Sequence, residues 1–172
     1  MFNKAVIIPT GNELSQQIVI DTDSPLIMKW LLQHDGTIEV SRIAPVIDQE
    51  DAIIQAVQTQ YETKQADLII LIGGSGEGHL HSTILGKDFT HASLETILTD
   101  IHAGAIYGKN GHMWSKLLIG YYKKALVFNL PGPYEEVEVT IKAFLEAYAM
   151  DSHDLQAINE RMVNALKNKY GA

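Results

Sequence analysis

The residues best placed to do chemistry in this chain sit in one short stretch, Gly73-Gly74-Ser75-Gly76-Glu77-Gly78, with His79 and His81 directly behind it. Glycines allow close approaches that a side chain would forbid, and the N–H groups they expose can line an anion-binding concavity. Paired imidazoles can hold a phosphate or a transition metal. A third metal ligand would have to come from His102, His112, Asp21 or Asp48, and nothing in the sequence brings these together, so no metal site is expected. Two other apolar runs also end in glycine turns, Thr10-Gly11-Asn12 and Pro131-Gly132-Pro133. Among the acids, Asp48 is either a ligand contact or the cap of the helix that follows it. Asp21 and Asp23 are either functional or simply lead into Ser24-Pro25, a capping residue followed by proline at the first helical position.

Two familiar phosphate signatures do not fit these glycines. A dinucleotide fingerprint starting at Gly74 and Gly76 would need its third glycine at position 79, where the chain has His79, and a P-loop would need a lysine and a hydroxyl immediately after the glycines.

The elements that must carry these loops can be read from hydrophobic patterning. Leu68-Ile69-Ile70-Leu71-Ile72 is an unbroken aliphatic run, as expected of a parallel strand buried on both faces. Ala5-Val6-Ile7-Ile8 and Ala125-Leu126-Val127-Phe128-Asn129-Leu130 predict two more core strands. Between them, a helix with Leu26, Ile27, Trp30 and Leu31 on one face stops near Gly36, and a strand lies within 38–46, limited by Pro45. A second helix carries Ile53, Val57 and Tyr61. The order β-α-β-α-β predicts right-handed crossovers and a mostly parallel sheet, which places all three glycine turns on one edge, lining a common crevice. Short helices or turns are expected near His79 and over 93–98, and 102–124 reads either as a hairpin or as a strand with a helical turn. A long helix follows Pro133, with Val137, Ile141, Phe144, Leu145 and Tyr148 on one face. Ser152, Asp154 and Leu155 open a last helix with a stripe of Leu155, Ile158, Met162 and Leu166.

Composition bounds the partners. Thirteen basic residues against twenty-one acidic ones leave a net charge of −8, so neither a nucleic-acid face nor an anionic-membrane face is expected. An anionic ligand would be held mainly by backbone N–H groups and helix N-termini. The absence of cysteine excludes disulfides, thiolate sites and cysteine nucleophiles. No apolar run is long enough for a signal core or a membrane span, and a cytoplasmic location is expected.

Five blocks in order carry a resemblance: Thr10-Gly11-Asn12-Glu13-Leu14; Ile20-Asp21-Thr22-Asp23-Ser24; Val46-Ile47-Asp48; Ala66-Asp67-Leu68-Ile69-Ile70 running into Gly73-Gly74-Ser75-Gly76; and Asn129-Leu130-Pro131-Gly132-Pro133. Together they resemble the molybdopterin-binding domain shared by the MoaB and Mog proteins, the third domain of MoeA and the amino-terminal part of CinA-like proteins. The likeness covers about residues 5–150. It implies a three-layer α-β-α sandwich with a mostly parallel sheet over 1–150. Residues 151–172 then form an extra C-terminal helix packed on the domain or on a partner subunit of a homo-oligomer. It further implies molybdopterin, or another pterin phosphate or nucleotide, as the small-molecule ligand, held by Thr10, Gly11, Asp48, Gly73, Gly74, Ser75, Gly76, Pro131 and Gly132. The activities it brings are adenylylation of molybdopterin with ATP and Mg²⁺, insertion of molybdate, and CinA-like hydrolysis of a nucleotide pyrophosphate.

The chain also departs from the pattern. By count, the acid that the resemblance places after the glycine loop falls on His81, which together with Asp48 makes the pair of catalytic candidates. A histidine is a poor magnesium ligand, which argues against Mg²⁺-dependent transfer and for a non-catalytic binding or assembly module. Pro133-Tyr134 likewise stands where such proteins more often have a small polar residue followed by proline.

Overall fold

The computed structural model describes residues 2–73, 88–107 and 113–170. In chain order the elements are β1 (Lys4–Pro9), α1 (Asn12–Ser15), α2 (Asp23–His34), β2 (Glu39–Arg42), α3 (Glu50–Lys64) and β3 (Leu68–Ile72). They are followed by α4 (Phe89–Ile97), β4 (Thr99–Tyr107), β5 (Met113–Tyr122), β6 (Ala125–Leu130), α5 (Tyr134–Met150) and α6 (Leu155–Tyr170). The strands form one sheet in the order β2-β1-β3-β6-β5-β4. The first four run parallel, and β5 and β4 complete the sheet in antiparallel fashion.

The pleat explains why the core strands read as continuous apolar runs. Ile7, Ile70 and Phe128 point to one face, where Leu26, Ile27 and Leu31 of α2, Ile141 and Phe144 of α5, and the α6 stripe cover them. Their neighbours Val6, Ile69 and Val127 point to the other, under Ile53 and Val57 of α3 and Leu94 of α4. Both faces are dry, and every residue of β3 is apolar and buried. The result is a three-layer α-β-α sandwich, matching the expected architecture.

Local details differ from the sequence reading. Ser24 does not cap α2; the Asp21 carboxylate does, its Oδ1 accepting from the N–H groups of Asp23 and Ser24 at 3.2 and 2.9 Å. The ladder of β2 stops at Arg42, and the chain returns to the sheet only as a bridge between Val46 and Thr10, since Pro45 has no N–H to offer a neighbouring strand. Residues 99–107 and 113–122 pair as two antiparallel strands, as the hairpin reading expects and the strand with a helical turn does not. Gly104, within β4, is there for close packing: a Cβ on it would lie 2.6 Å from Val163 Cγ2 of α6. The stripe Leu155, Ile158, Met162 and Leu166 is buried in the same cluster as Phe144 and Leu117.

Candidate functional site

The carboxyl ends of β1, β3 and β6 are adjacent in the sheet, and their loops are stitched together by backbone hydrogen bonds. Thr10 N–H and its hydroxyl both donate to Ile72 O, at 2.9 and 2.8 Å. Gly73 N–H donates to Leu130 O at 3.0 Å, and Gly11 N–H to Val46 O at 3.0 Å. Gly73 has φ +99°, and a Cβ there would meet Thr10 O at 2.9 Å and Thr10 Oγ1 at 3.0 Å. Only glycine satisfies both the left-handed backbone and that approach. Since the chain passes from β1 to β2 on one side and to β3 on the other, the switch point of this α/β sheet falls between β1 and β3, at the loops of Thr10 and Gly73.

Asp48 has a different role from the cap reading. Gln49 occupies the N-cap of α3, and Asp48 instead exchanges hydrogen bonds with Asn12: Asn12 N–H to Asp48 Oδ2 at 3.1 Å, and Asp48 N–H to Asn12 Oδ1 at 3.2 Å. This locks the β1 loop to the segment before α3 and places a carboxylate at its rim. Thr10, Gly11, Asp48 and Gly73 are thus brought into one neighbourhood. Pro131 and Gly132 follow the adjacent β6, and a Cβ on Gly132 would meet nothing within 4 Å. Gly74, Ser75, Gly76, His79 and His81 lie outside the described residues. Asp21 turns toward β2, its Oδ2 accepting from Arg42 Nε at 2.6 Å. Beside it, burial and the Asp21 charge push Asp23 up to about 6.

The structure adds residues that the sequence reading passed over. The first turn of α4 reaches the crevice through Thr90, whose hydroxyl lies 3.2 Å from that of Thr10. Asp88 caps this helix, its Oδ1 accepting from His91 N–H at 3.0 Å, while Oδ2 is buried without a hydrogen-bond partner among the described residues. Burial, reinforced by the Asp48 charge, pushes the Asp88 carboxyl up to about 7 against the hydrogen bonds of His91 and Thr90 and the Lys116 charge. His91 is also buried, which holds its ring down to about 4. The imidazole is therefore neutral at physiological pH, and the 3.9 Å approach of Nε2 to Asp88 Oδ2 is not an ion pair. Its Nε2 faces Lys116 O at 2.6 Å, which assigns the proton to Nε2. Asn129 of β6 donates to the same carbonyl at 3.0 Å and accepts from Leu118 N–H at 2.7 Å. One signal in the sequence points to Asp88: an aspartate directly before Phe89-Thr90-His91, at the start of an apolar helical pattern.

Chemically, the Thr10, Gly11 and Gly73 N–H groups are taken up by the stitching and the Thr10 and Thr90 hydroxyls lie buried against each other, which leaves two carboxyls of different character, Asp48 half-buried and Asp88 largely buried and readily protonated. Among the described residues no group of three or more histidines and carboxylates is placed to hold a metal ion. Nor is any helix among them long and apolar enough to cross a membrane.

The model of a family described as a probable molybdopterin binding domain matches residues 6–150. No curated protein matches the sequence. Among solved structures, the molybdopterin biosynthesis enzyme MoaB of Thermus thermophilus is 19% identical, with 100% of this chain and 98% of that one covered and a TM-score of 0.61. The molybdopterin biosynthesis Mog protein of Mycobacterium ulcerans is 23% identical over 87% of this chain and 98% of its own, with a TM-score of 0.62. The CinA protein of Thermoplasma acidophilum is 21% identical over 87% and 97%, with a TM-score of 0.59. At these identities the likeness to each structure is one of fold.

Proposed function

The chain belongs to the molybdopterin-binding domain family, and on that footing we propose that it acts in molybdenum cofactor biosynthesis, binding a pterin phosphate such as molybdopterin, or a related nucleotide, between the loops after β1, β3 and β6. The observation that carries this reading is the stitching of those three loops around Gly73, whose lack of a side chain lets the strand ends close together. In a chain of net charge −8, a phosphate is held best by backbone donors other than those the stitching uses. Gly74, Ser75 and Gly76 extend the cradle in this reading, and Pro131 and Gly132 form its opposite lip.

Asp88 favours a working site over a non-catalytic module. An acid stands after the glycine loop, further along than the count to His81, and it is buried beside Thr90 and within the field of Asp48. Adenylyl transfer from ATP is the reaction to test first, with pyrophosphate hydrolysis as the alternative. The exposed run Ile18, Val19 and Ile20, at 68%, 48% and 87% exposure, supports assembly into a homo-oligomer.

Gly132→Phe separates binding from folding, because the new side chain starts in open space. It is expected to weaken molybdopterin binding at least about tenfold, with the melting temperature held within roughly 2 °C. If the unaltered protein fails to bind molybdopterin in the same titration, the proposal falls. Adenylylated product on adding ATP and Mg²⁺ would remove the binding-module reading.

A further inference from the structure

We infer that His91 is a positioning residue: its neutral imidazole clamps the first turn of α4 to the sheet and thereby fixes the Asp88 carboxyl at the crevice. The inference rests on the site described above, but its geometry and its principal readouts need no ligand.

His91 makes two contacts that have to be simultaneous. Its backbone N–H donates to Asp88 Oδ1 at 3.0 Å, and its ring Nε2–H donates to the Lys116 carbonyl of β5 at 2.6 Å. That carbonyl also receives the Asn129 amide of β6, at 3.0 Å. The Asn129 amide nitrogen lies 3.2 Å from His91 Nε2, and since both atoms carry protons they converge on the one oxygen rather than bond each other. Asn129 precedes Leu130, whose carbonyl takes the Gly73 N–H at 3.0 Å. A continuous path therefore runs from Asp88 through His91, the Lys116 carbonyl, Asn129 and Leu130 to Gly73. The acid and the loops after β3 and β6 share one mechanical frame.

The ring suits this role because it is dry. The His91 side chain is 5% exposed and that of Asp88 13%, and His91 Nδ1 has no hydrogen-bond partner among the described residues. An imidazolium would need an acceptor at Nδ1 as well, so the frame selects the neutral Nε2–H form. The charged groups acting on the pair are Lys116 of β5, Glu95 on the same helix, and Asp48 across the crevice. A merely space-filling residue would leave the Lys116 carbonyl with Asn129 alone and the α4 cap free to tilt toward water.

The test uses NMR on the whole protein. In the unaltered chain, ¹⁵N shifts should show His91 as the Nε2–H tautomer from about pH 5 to pH 8. The Asp88 carboxyl ¹³C titration should shift downward by about one pH unit or more in His91→Ala, as water reaches the cap. It should keep the midpoint of the unaltered chain in His91→Gln, whose amide can reach the same carbonyl. A His91 ring that titrates in this range, or an Asp88 midpoint unmoved or raised in His91→Ala, overturns the inference, as does His91→Gln behaving like His91→Ala. Should the alanine variant fail to fold, the tautomer measurement decides alone. Failure of the unaltered protein to bind molybdopterin while these readouts hold would remove the pterin reading and leave the positioning role standing.

Discussion

Asp88 and His91 are four-fifths or more buried at the side chain and both are displaced toward neutrality, and the two displacements act on stability with opposite signs. The carboxyl, raised from its ordinary 3.8 to about 7, contributes stability that is fully present below about pH 3.8 and is lost as pH rises through 7. The imidazole, lowered from 6.5 to about 4, contributes stability that is present above 6.5 and lost as pH falls toward 4. Asp88→Asn retains an N-cap acceptor for His91 N–H but cannot ionise. It should therefore gain on the order of 1–3 kcal/mol over the unaltered chain at pH 8 and nothing at about pH 3.5, below the ordinary carboxyl value, measured by denaturant melts. A loss at both values would mean that the carboxyl is charged and compensated. At this scale the sequence is legible where backbone rules dictate identity. Gly73 stands out because a positive φ beside Thr10 O admits nothing else, and Thr10 and Gly11 because they end a buried strand. Asp88 is harder to read, since its value lies in burial and in the partners His91 and Asn129, which come from elements far apart in sequence.

At the scale of elements, β1, β3 and β6 announce themselves because both their faces are dry, and α5 and α6 because their stripes recur at helical spacing. The β4–β5 hairpin does not, because its glycines look like turns. Gly104 lies within a strand, where α6 approaches so closely that Val163 Cγ2 occupies the space of a Cβ. Such a signal is tertiary, and no local pattern encodes it. The contact makes a direct prediction: Gly104→Ala should cost about 1–3 kcal/mol by overpacking. Adding Val163→Ala should return part of that loss despite the methyl groups it removes, and equal losses in the single and double variants would show that α6 yields freely. The caps show the same division. Asp21 rather than Ser24 closes α2, and Asp48 serves Asn12 rather than α3, because a carboxylate beside a helix start can bond whichever N–H the tertiary fold presents.

For the molecule as a whole, the hydrophobic patterning and element order anticipate one α/β sheet, and a net charge of −8 leaves ligand recognition to local donors rather than to the overall field. The strand order has a further consequence for motion. Each of β1, β3 and β6 is hydrogen-bonded on both sides, whereas β2 and β4 form the two rims. Opening of a rim by thermal fluctuation costs only the bonds of that rim, so amide protons of Val40 and Ala105 should exchange with solvent orders of magnitude faster than those of Ile70 and Phe128. Uniform exchange across the sheet would mean that it opens only as a unit. If the graded order holds, the crevice sits on the last part of the protein to come undone. The molecule can then breathe at both margins, or lend an edge to a neighbouring chain, without loosening the three strand ends on which a ligand would rest.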